Sequence, residues 1–257
     1  MRGGWSNSPG QVAVAGVFGD VAAHHHPAVQ VAVGLGGPLV VETGDGRQHR
    51  CAVAVVASGA RHAMRSDDAR HAISVYLSPE QPTGVALNTL VRRHAGRTGV
   101  WTVEGGERLA DAAGAAYDSA DLQAAADLVV DDLLRRTAAE SDEGVQIHPQ
   151  LRQAIEFVSD SVPSRTELTS VARAVALSPD YLGRLFRTQT GASFSASARW
   201  QRLLAGLHHL SRGASVTDAA YLAGFADGPH ANRACRELTG LTPSEIVRAI
   251  ADSPHPD

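Results

Sequence analysis

Arg184 and Arg187, in "YLGRLFRTQTG", recur as Arg233 and Arg236 in "HANRACRELTG". An arginine fork can bond the O6 and N7 atoms of guanine bidentately, and a helix fits the major groove. Arginines paired at helical spacing are therefore suited to reading a duplex or holding its phosphates. A second chemical group lies near the N-terminus, in "HHHPAVQ". Within a strand, His24 and His26 point to the same face, and imidazoles sharing a face can bind Zn, Fe, Ni or Cu. Cys51 and Cys235 are too far apart in sequence to form a metal or redox motif. The helical spacing of Cys235 with Ala231, Ala234 and Leu238 makes it a core residue. No Ser/His/Asp constellation, phosphate loop or carboxylate pair stands out.

The elements that must carry these residues divide the chain in two. Apolar, partly β-branched runs at 29–35, 38–43, 51–57 and 72–77, separated by Gly36-Gly37 and Gly44-Asp45-Gly46, predict a small antiparallel barrel or sandwich. After Pro82 the pattern turns helical. Leu122, Ala126, Val129 and Leu133 form one apolar stripe, which serves either to pack on its own barrel or to dimerise. The polar segment 137–146 reads as a linker. From Pro149 onward the periodicity is helical throughout. Leu151, Ala154, Ile155 and Val158 follow the helical template, as do Leu168, Val171, Ala172 and Val175, and Val216, Ala219, Ala220 and Ala223. Ser178-Pro179, Ser215-x-x-Asp218 and Thr242-Pro243-Ser244-Glu245 are helix starts, and Gly191 and Gly240 are helix stops.

Composition bounds the function. The net charge is −4, yet residues 148–250 hold 11 Arg against 8 Asp and Glu, while the rest holds 12 against 19. The C-terminal part is thus net basic and the N-terminal part acidic, as expected when only one of them meets a polyanion. No apolar run approaches the roughly 20 residues of a membrane span. The N-terminus does not read as a secretory signal, and a reduced, cytoplasmic setting fits the cysteine usage.

The alignment of the two arginine segments places Leu182-Gly183-Arg184 on Ala231-Asn232-Arg233 and Gly191 on Gly240, with one extra residue in the second turn. They read as two helix-turn-helix units joined by a long helix near Phe194–Ser211. Such units can place their second helices in successive major grooves, roughly 34 Å apart. The elements "LTSVARAVALSPDYLGRLFRTQTGASF", "RWQRLLAGLHHL" and "SVTDAAYLAGFADGPHANRACRELTGLTPSEIVR" resemble the double helix-turn-helix domain of AraC/XylS-family transcription regulators, over about residues 148–250. The resemblance implies that the exposed faces of 179–187 and 228–236 meet DNA. Arg184 and Arg233 are then the expected base readers, with Asp180, Gly183, His230 and Asn232 shaping specificity and Tyr181 and Gly228 also among the expected DNA-binding residues. Arg187 and Arg236 are the expected phosphate contacts. The chain departs from the family at Ala231 and Cys235, where bulky apolar residues are usual, and at Gly228 and Pro229, which carry no base-reading group. The second unit is therefore expected to contribute less readout than the first.

"HHHPAVQ" and "ASGARH" together resemble the two motifs of the cupin barrel. That resemblance puts His24, His26 and His62 in the histidine positions, with Gln30 where a metal-binding Glu would stand and Ala57 where a Pro would. These residues read as an effector pocket, as structural histidines, or as a divalent-metal site; no cofactor is required by the regulator reading. The expectation is a two-domain protein: a cupin-like antiparallel β-barrel at 1–120, a helix and linker at 121–147, an all-α DNA-binding domain at 148–250 and a tail at 251–257. Its expected partners are promoter DNA, a small effector, RNA polymerase if it activates, and a second copy if it dimerises. The competing expectations are a metal-dependent cupin enzyme or metal sensor, and an architectural DNA-binding protein without ligand response.

Overall fold

The computed structural model describes residues 3–65, 70–137 and 146–251. Most of the expected linker and of the C-terminal tail lies outside them. Strands β1 (Gly4–Ser8), β2 (Gln11–Phe18), β4 (Val29–Gly34), β7 (Val53–Val56), β9 (Arg70–Leu77) and β10 (Val100–Thr102) form one antiparallel sheet in the order β1-β2-β9-β4-β7-β10. Strands β3 (Val21–His24), β5 (Leu39–Thr43), β6 (Gln48–Cys51) and β8 (His62–Arg65) form the second, in the order β3-β8-β5-β6. The expected antiparallel sheet domain is present, but as two sheets that no hydrogen-bonded strand pair among the described residues closes into the expected barrel.

Side-chain alternation along the larger sheet explains what lies on each side of it. Ala13 and Ala15 of β2, Val29, Val31 and Val33 of β4, and Ile73, Val75 and Leu77 of β9 form one continuous core. That core is completed by α1 (Pro82–Ala95), α2 (Gly106–Ser119) and α3 (Leu122–Thr137). Leu122, Ala126, Val129 and Leu133 are all buried in it. The stripe on α3 is thus used within its own domain, and α3 belongs with the sheets. The alternate residues, Val12 and Val14, Gln30 and Ala32, Ser74 and Tyr76, face the other way, toward a cavity and the second domain.

That second domain is helical. Helices α4 (Pro149–Asp160), α5 (Leu168–Ala174) and α6 (Pro179–Leu185) pack around Leu151, Ile155, Val171, Leu182 and Phe186. A wider turn, Phe186–Thr190, extends α6 to Gly191. Helix α7 (Phe194–Ser211) then leads to α8 (Val216–Leu222), α9 (Gly228–Thr239) and α10 (Pro243–Ala251). At 18 residues, α7 is about 27 Å long, a stiff spacer between the two units. The turn of the first unit places Ala176 at φ 55°, and that of the second places Gly224 at φ 79°. The two turns have the same backbone shape, since Leu177 N–H donates to Ala172 O and Phe225 N–H to Ala220 O.

Candidate nucleic-acid interface and interdomain site

The expected reading helices begin where the caps place them. Ser178 Oγ accepts from Tyr181 N–H at 3.3 Å with Pro179 opening α6, and Asp227 accepts from His230 N–H at 2.6 Å ahead of α9. Thr242 and Glu245 form the reciprocal capping box on α10, with bonds of 3.2 and 2.6 Å. Gly191 and Gly240 both end their helices in the left-handed region, at φ 73°.

Asp180, Tyr181, Arg184 and Arg187 are exposed on α6 and its extension, as are Asn232, Arg233 and Arg236 on α9. The Arg184 guanidinium lies over the Tyr181 ring, 5.7 Å from its centroid, and the side chain stays exposed at the surface. Arg236 is partly engaged, 3.7 Å from Glu245. The other expected residues sit differently. Gly183 is buried on the inner side of α6, where a Cβ would lie 3.6 Å from Leu168. It packs the helix and presents nothing to a groove. Gly228 and His230 are half-buried, and His230 stands edge-on against Phe225 in the turn. Ala231 and Cys235 are buried, and burial pushes the Cys235 thiol up to about 12, so it is a core residue without thiolate chemistry.

The histidines converge where the domains meet. His24 and His62 are opposite each other across β3 and β8, with ring centroids 4.2 Å apart. His26 follows β3, and its carbonyl accepts from Gly59 N–H, which brings its ring 5.3 Å from His62. Gln30 approaches from β4 of the other sheet. His24, His26 and His62 are 1–2% exposed, and their ligand atoms all lie within 4.8 Å of one another. Burial pulls His24 down to about 3, His26 to about 4 and His62 well below the ordinary value, so all three rings are neutral at pH 7.

Their tautomers follow from their neighbours. Nδ1 of His24, His26 and His62 lies 2.8, 3.1 and 3.1 Å from the carbonyl oxygens of Ala22, Ala28 and Ala60. A carbonyl only accepts, so each neutral ring carries its proton on Nδ1 and a lone pair on Nε2. The Nε2 atoms of His26 and His62 are 3.1 and 2.9 Å from Gln30 Oε1, and that of His24 has no hydrogen-bond partner among the described residues. Lone pairs facing an oxygen repel unless the amide turns its NH2 toward them or a cation sits between. Rings held through Nδ1–H, with the Nε2 lone pairs of His26 and His62 meeting at Gln30 Oε1 and one ring nitrogen of each histidine within 4.8 Å of the others, form a donor set that suits a divalent transition ion, with Gln30 as an oxygen ligand. The residues present thus fit a metal.

Beside the cluster, His24 and Gln30 also line an apolar cavity of about 80 Å³ between the sheets and α7 and α10, with Trp5, Met64, Trp200 and Ile246. Trp200, on the middle of α7, stacks near His26 and Tyr76 at 5.3 and 5.5 Å and is 4% exposed. On the far side of Tyr76 and Trp200 a more polar cleft of about 560 Å³ runs between Gln81, Glu80, Glu156 and His208. Trp200 was not singled out in the sequence, although its spacing with Leu203, Leu204 and Leu207 marks it as apolar-face. Nothing local shows that this face meets the other domain.

Comparison with known proteins agrees with this geometry. A family described as "Helix-turn-helix domain" matches residues 171–249. The chain is 30% identical over 102 residues to the HTH-type transcriptional regulator GlxA of Rhizobium meliloti, covering 39% of this chain and 32% of that protein. It is 32% identical over 120 residues to the arabinose operon regulatory protein of Escherichia coli, covering 44% and 40%. The chain thus spans about a third to two fifths of the length of these curated relatives. Over both domains the fold is similar to that of ToxT from Vibrio cholerae in its apo form, with a TM-score of 0.67 at 10% identity, covering 95% of this chain and 99% of that one. It is also similar to ToxT with an unsaturated fatty acid bound, with a TM-score of 0.64 at 11% identity and full coverage of both chains. Residues 171–249 therefore match a helix-turn-helix domain, and they follow a double-sheet N-terminal domain in a two-domain fold similar to that of ToxT.

Proposed function

We propose that the protein is a cytoplasmic, sequence-specific transcription regulator that binds promoter DNA through α6 and α9 and responds to a small effector held between its domains. The observation that carries this reading is the pair of capped, arginine-bearing helices presented from one stiff connecting helix, with Arg184, Arg187, Arg233 and Arg236 all at the surface. On this reading Arg184 and Arg233 contact bases, Asp180, Tyr181 and Asn232 shape specificity, and Arg187 and Arg236 hold phosphates. RNA polymerase is a further partner where the effect is activation. The effector is a small apolar molecule. At about 80 Å³ the cavity at Trp5, Met64 and Trp200 is too small for one in the present arrangement. Filling it must move α7 or α10 relative to the sheets, which couples occupancy to the DNA-binding helices. The test is binding to duplex from upstream of the protein's own gene against random duplex, across a salt series. A preference of about a thousandfold or more supports the regulator. Weak, steeply salt-dependent binding without preference would leave an architectural protein instead.

A second reading, a regulator that senses a divalent metal, is favoured by the three Nδ1-protonated histidines and the partnerless Nε2 of His24. His24, His26 and His62, with Gln30, would hold the ion, which would supply fixed bond directions and positive charge to a dry site. Stoichiometric metal in the purified protein, lost in His26→Ala, supports it; metal that persists in that variant sits elsewhere.

A further inference from the structure

Three points of the DNA-binding domain touch the sheet domain through the segments that carry the histidines. At the end of α9, Gly240 accepts from Ala22 N–H, and a Cβ there would lie 2.4 Å from Ala22 O and 2.9 Å from His24 Nδ1. At the end of the α6 extension, Ser58 Oγ donates to Thr190 O, and a Cβ on Gly191 would lie 2.4 Å from Ser58 O. At the middle of α7, Trp200 packs with Ala28 and stacks near His26. The carbonyls that receive the three imidazole N–H groups are those of Ala22, Ala60 and Ala28. Ala22 is itself one docking point, Ala28 packs on another, and Ala60 follows the Ser58-Gly59 turn that makes the third.

We infer that the histidine cluster is an interdomain clamp: metal occupancy of His24, His26 and His62 sets how the ends of both reading helices dock, and thereby sets DNA affinity. The inference rests on the metal-sensing reading and adds its regulation. Each imidazole is bonded through Nδ1 to one carbonyl beside one docking point, so an ion that fixes the three rings fixes all three contacts together. Two of the contacts are at Gly191 and Gly240, the corresponding positions of the two units. A single small site therefore acts on both reading helices. Because docking and DNA binding share one arrangement, the effect is reciprocal: DNA must change the affinity for the ion by the same factor.

The test uses the full chain, Co(II) as the probe, and a duplex from upstream of its own gene. Co(II) binding is read from its visible ligand-field absorption, DNA binding from fluorescence anisotropy with and without Co(II), and docking from hydrogen exchange at the Ala22 amide. The expected result is Co(II) absorption that disappears in His26→Ala and His62→Ala, slower exchange at Ala22, and a change in DNA affinity of about fivefold or more. Ser58→Ala removes one docking contact without touching a ligand. It should keep the Co(II) spectrum and lose much of the change in DNA affinity. Gly240→Ala, whose Cβ would press on both Ala22 O and His24 Nδ1, should disturb the docking and the Co(II) spectrum together, and Ser58→Ala keeps the test open if that variant does not fold. Co(II) absorption with unchanged DNA affinity would overturn the clamp and leave the metal site standing. No absorption, or absorption that survives both histidine variants, would remove the metal site and the clamp with it.

Discussion

Replacing Arg184 with alanine separates base reading from phosphate binding in the first unit. Arg184 is exposed on α6, its guanidinium lies 5.7 Å from the Tyr181 ring centroid, and it enters no ion pair among the described residues. Only its contact with the Tyr181 ring has to be given up for it to meet a base, so the loss should fall within the range of a bidentate contact, roughly 1–3 kcal/mol. That corresponds to about 5- to 150-fold weaker binding to the operator. Anisotropy titrations at several salt concentrations, with operator and random duplex, measure it. A base reader weakens operator binding and leaves random duplex and the salt slope nearly unchanged. A phosphate contact lowers both affinities alike and reduces the slope by about 0.9, which is about 3.5-fold between 50 and 200 mM salt. Equal losses on both duplexes would refute the assignment of Arg184 to a base. A change under about twofold on both would refute the placement of this face on DNA. Arg233→Ala, in the unit whose helix begins with Gly228 and Pro229, should cost less than Arg184→Ala.

Four further outcomes are expected. Arg187→Ala should reduce the salt slope by about 0.9, while Arg236→Ala should reduce it less, because Glu245 already lies 3.7 Å away; slope measurements on random duplex decide. Trp200→Ala removes a side chain shared by both domains and should cost about 3–5 kcal/mol, read as a fall in Tm of roughly 6–20 °C. A fall of under about 3 °C would show that the domains do not share this core. Ala176→Gly should stabilise the chain by about 0.5–1 kcal/mol, since φ 55° costs alanine roughly 1–2 kcal/mol and glycine returns part of that as chain entropy; denaturant midpoints test it. Burial, helped by Glu156, holds the Glu80 carboxyl above its ordinary range. A raised acid gives stability that is complete below its unfolded pKa and lost as pH rises through the folded one. Glu80→Gln should therefore raise Tm at pH 7 and leave it nearly unchanged at pH 4.

Much of this molecule was legible locally. The capping side chains, the left-handed glycines at 191 and 240 and the apolar periodicities depend on neighbours within one or two turns, and they appear at the expected residues. The strands were less legible. The run 51–57 is divided between β6, ending at Cys51, and β7, starting at Val53, in different sheets. Hydropathy carries no sign of that change. Gly183 was expected to shape readout because the family resemblance put 179–187 on DNA, but which side of α6 it faces depends on where Leu168 packs.

The sequence by itself determined that two helix-turn-helix units exist and which arginines they carry, because helix period, caps and turns are local physics. It also supplied three histidines, but their meaning required long-range pairing. Only the tertiary structure set His24 against His62 across β3 and β8, and it alone brought Gln30 in from the other sheet. It alone placed Trp200, Gly191 and Gly240 on the segments that hold those rings. The contacts between the domains join residues more than a hundred positions apart. They are decided by which apolar faces remain to be buried once each domain has formed its own core, a competition that no local window of sequence contains.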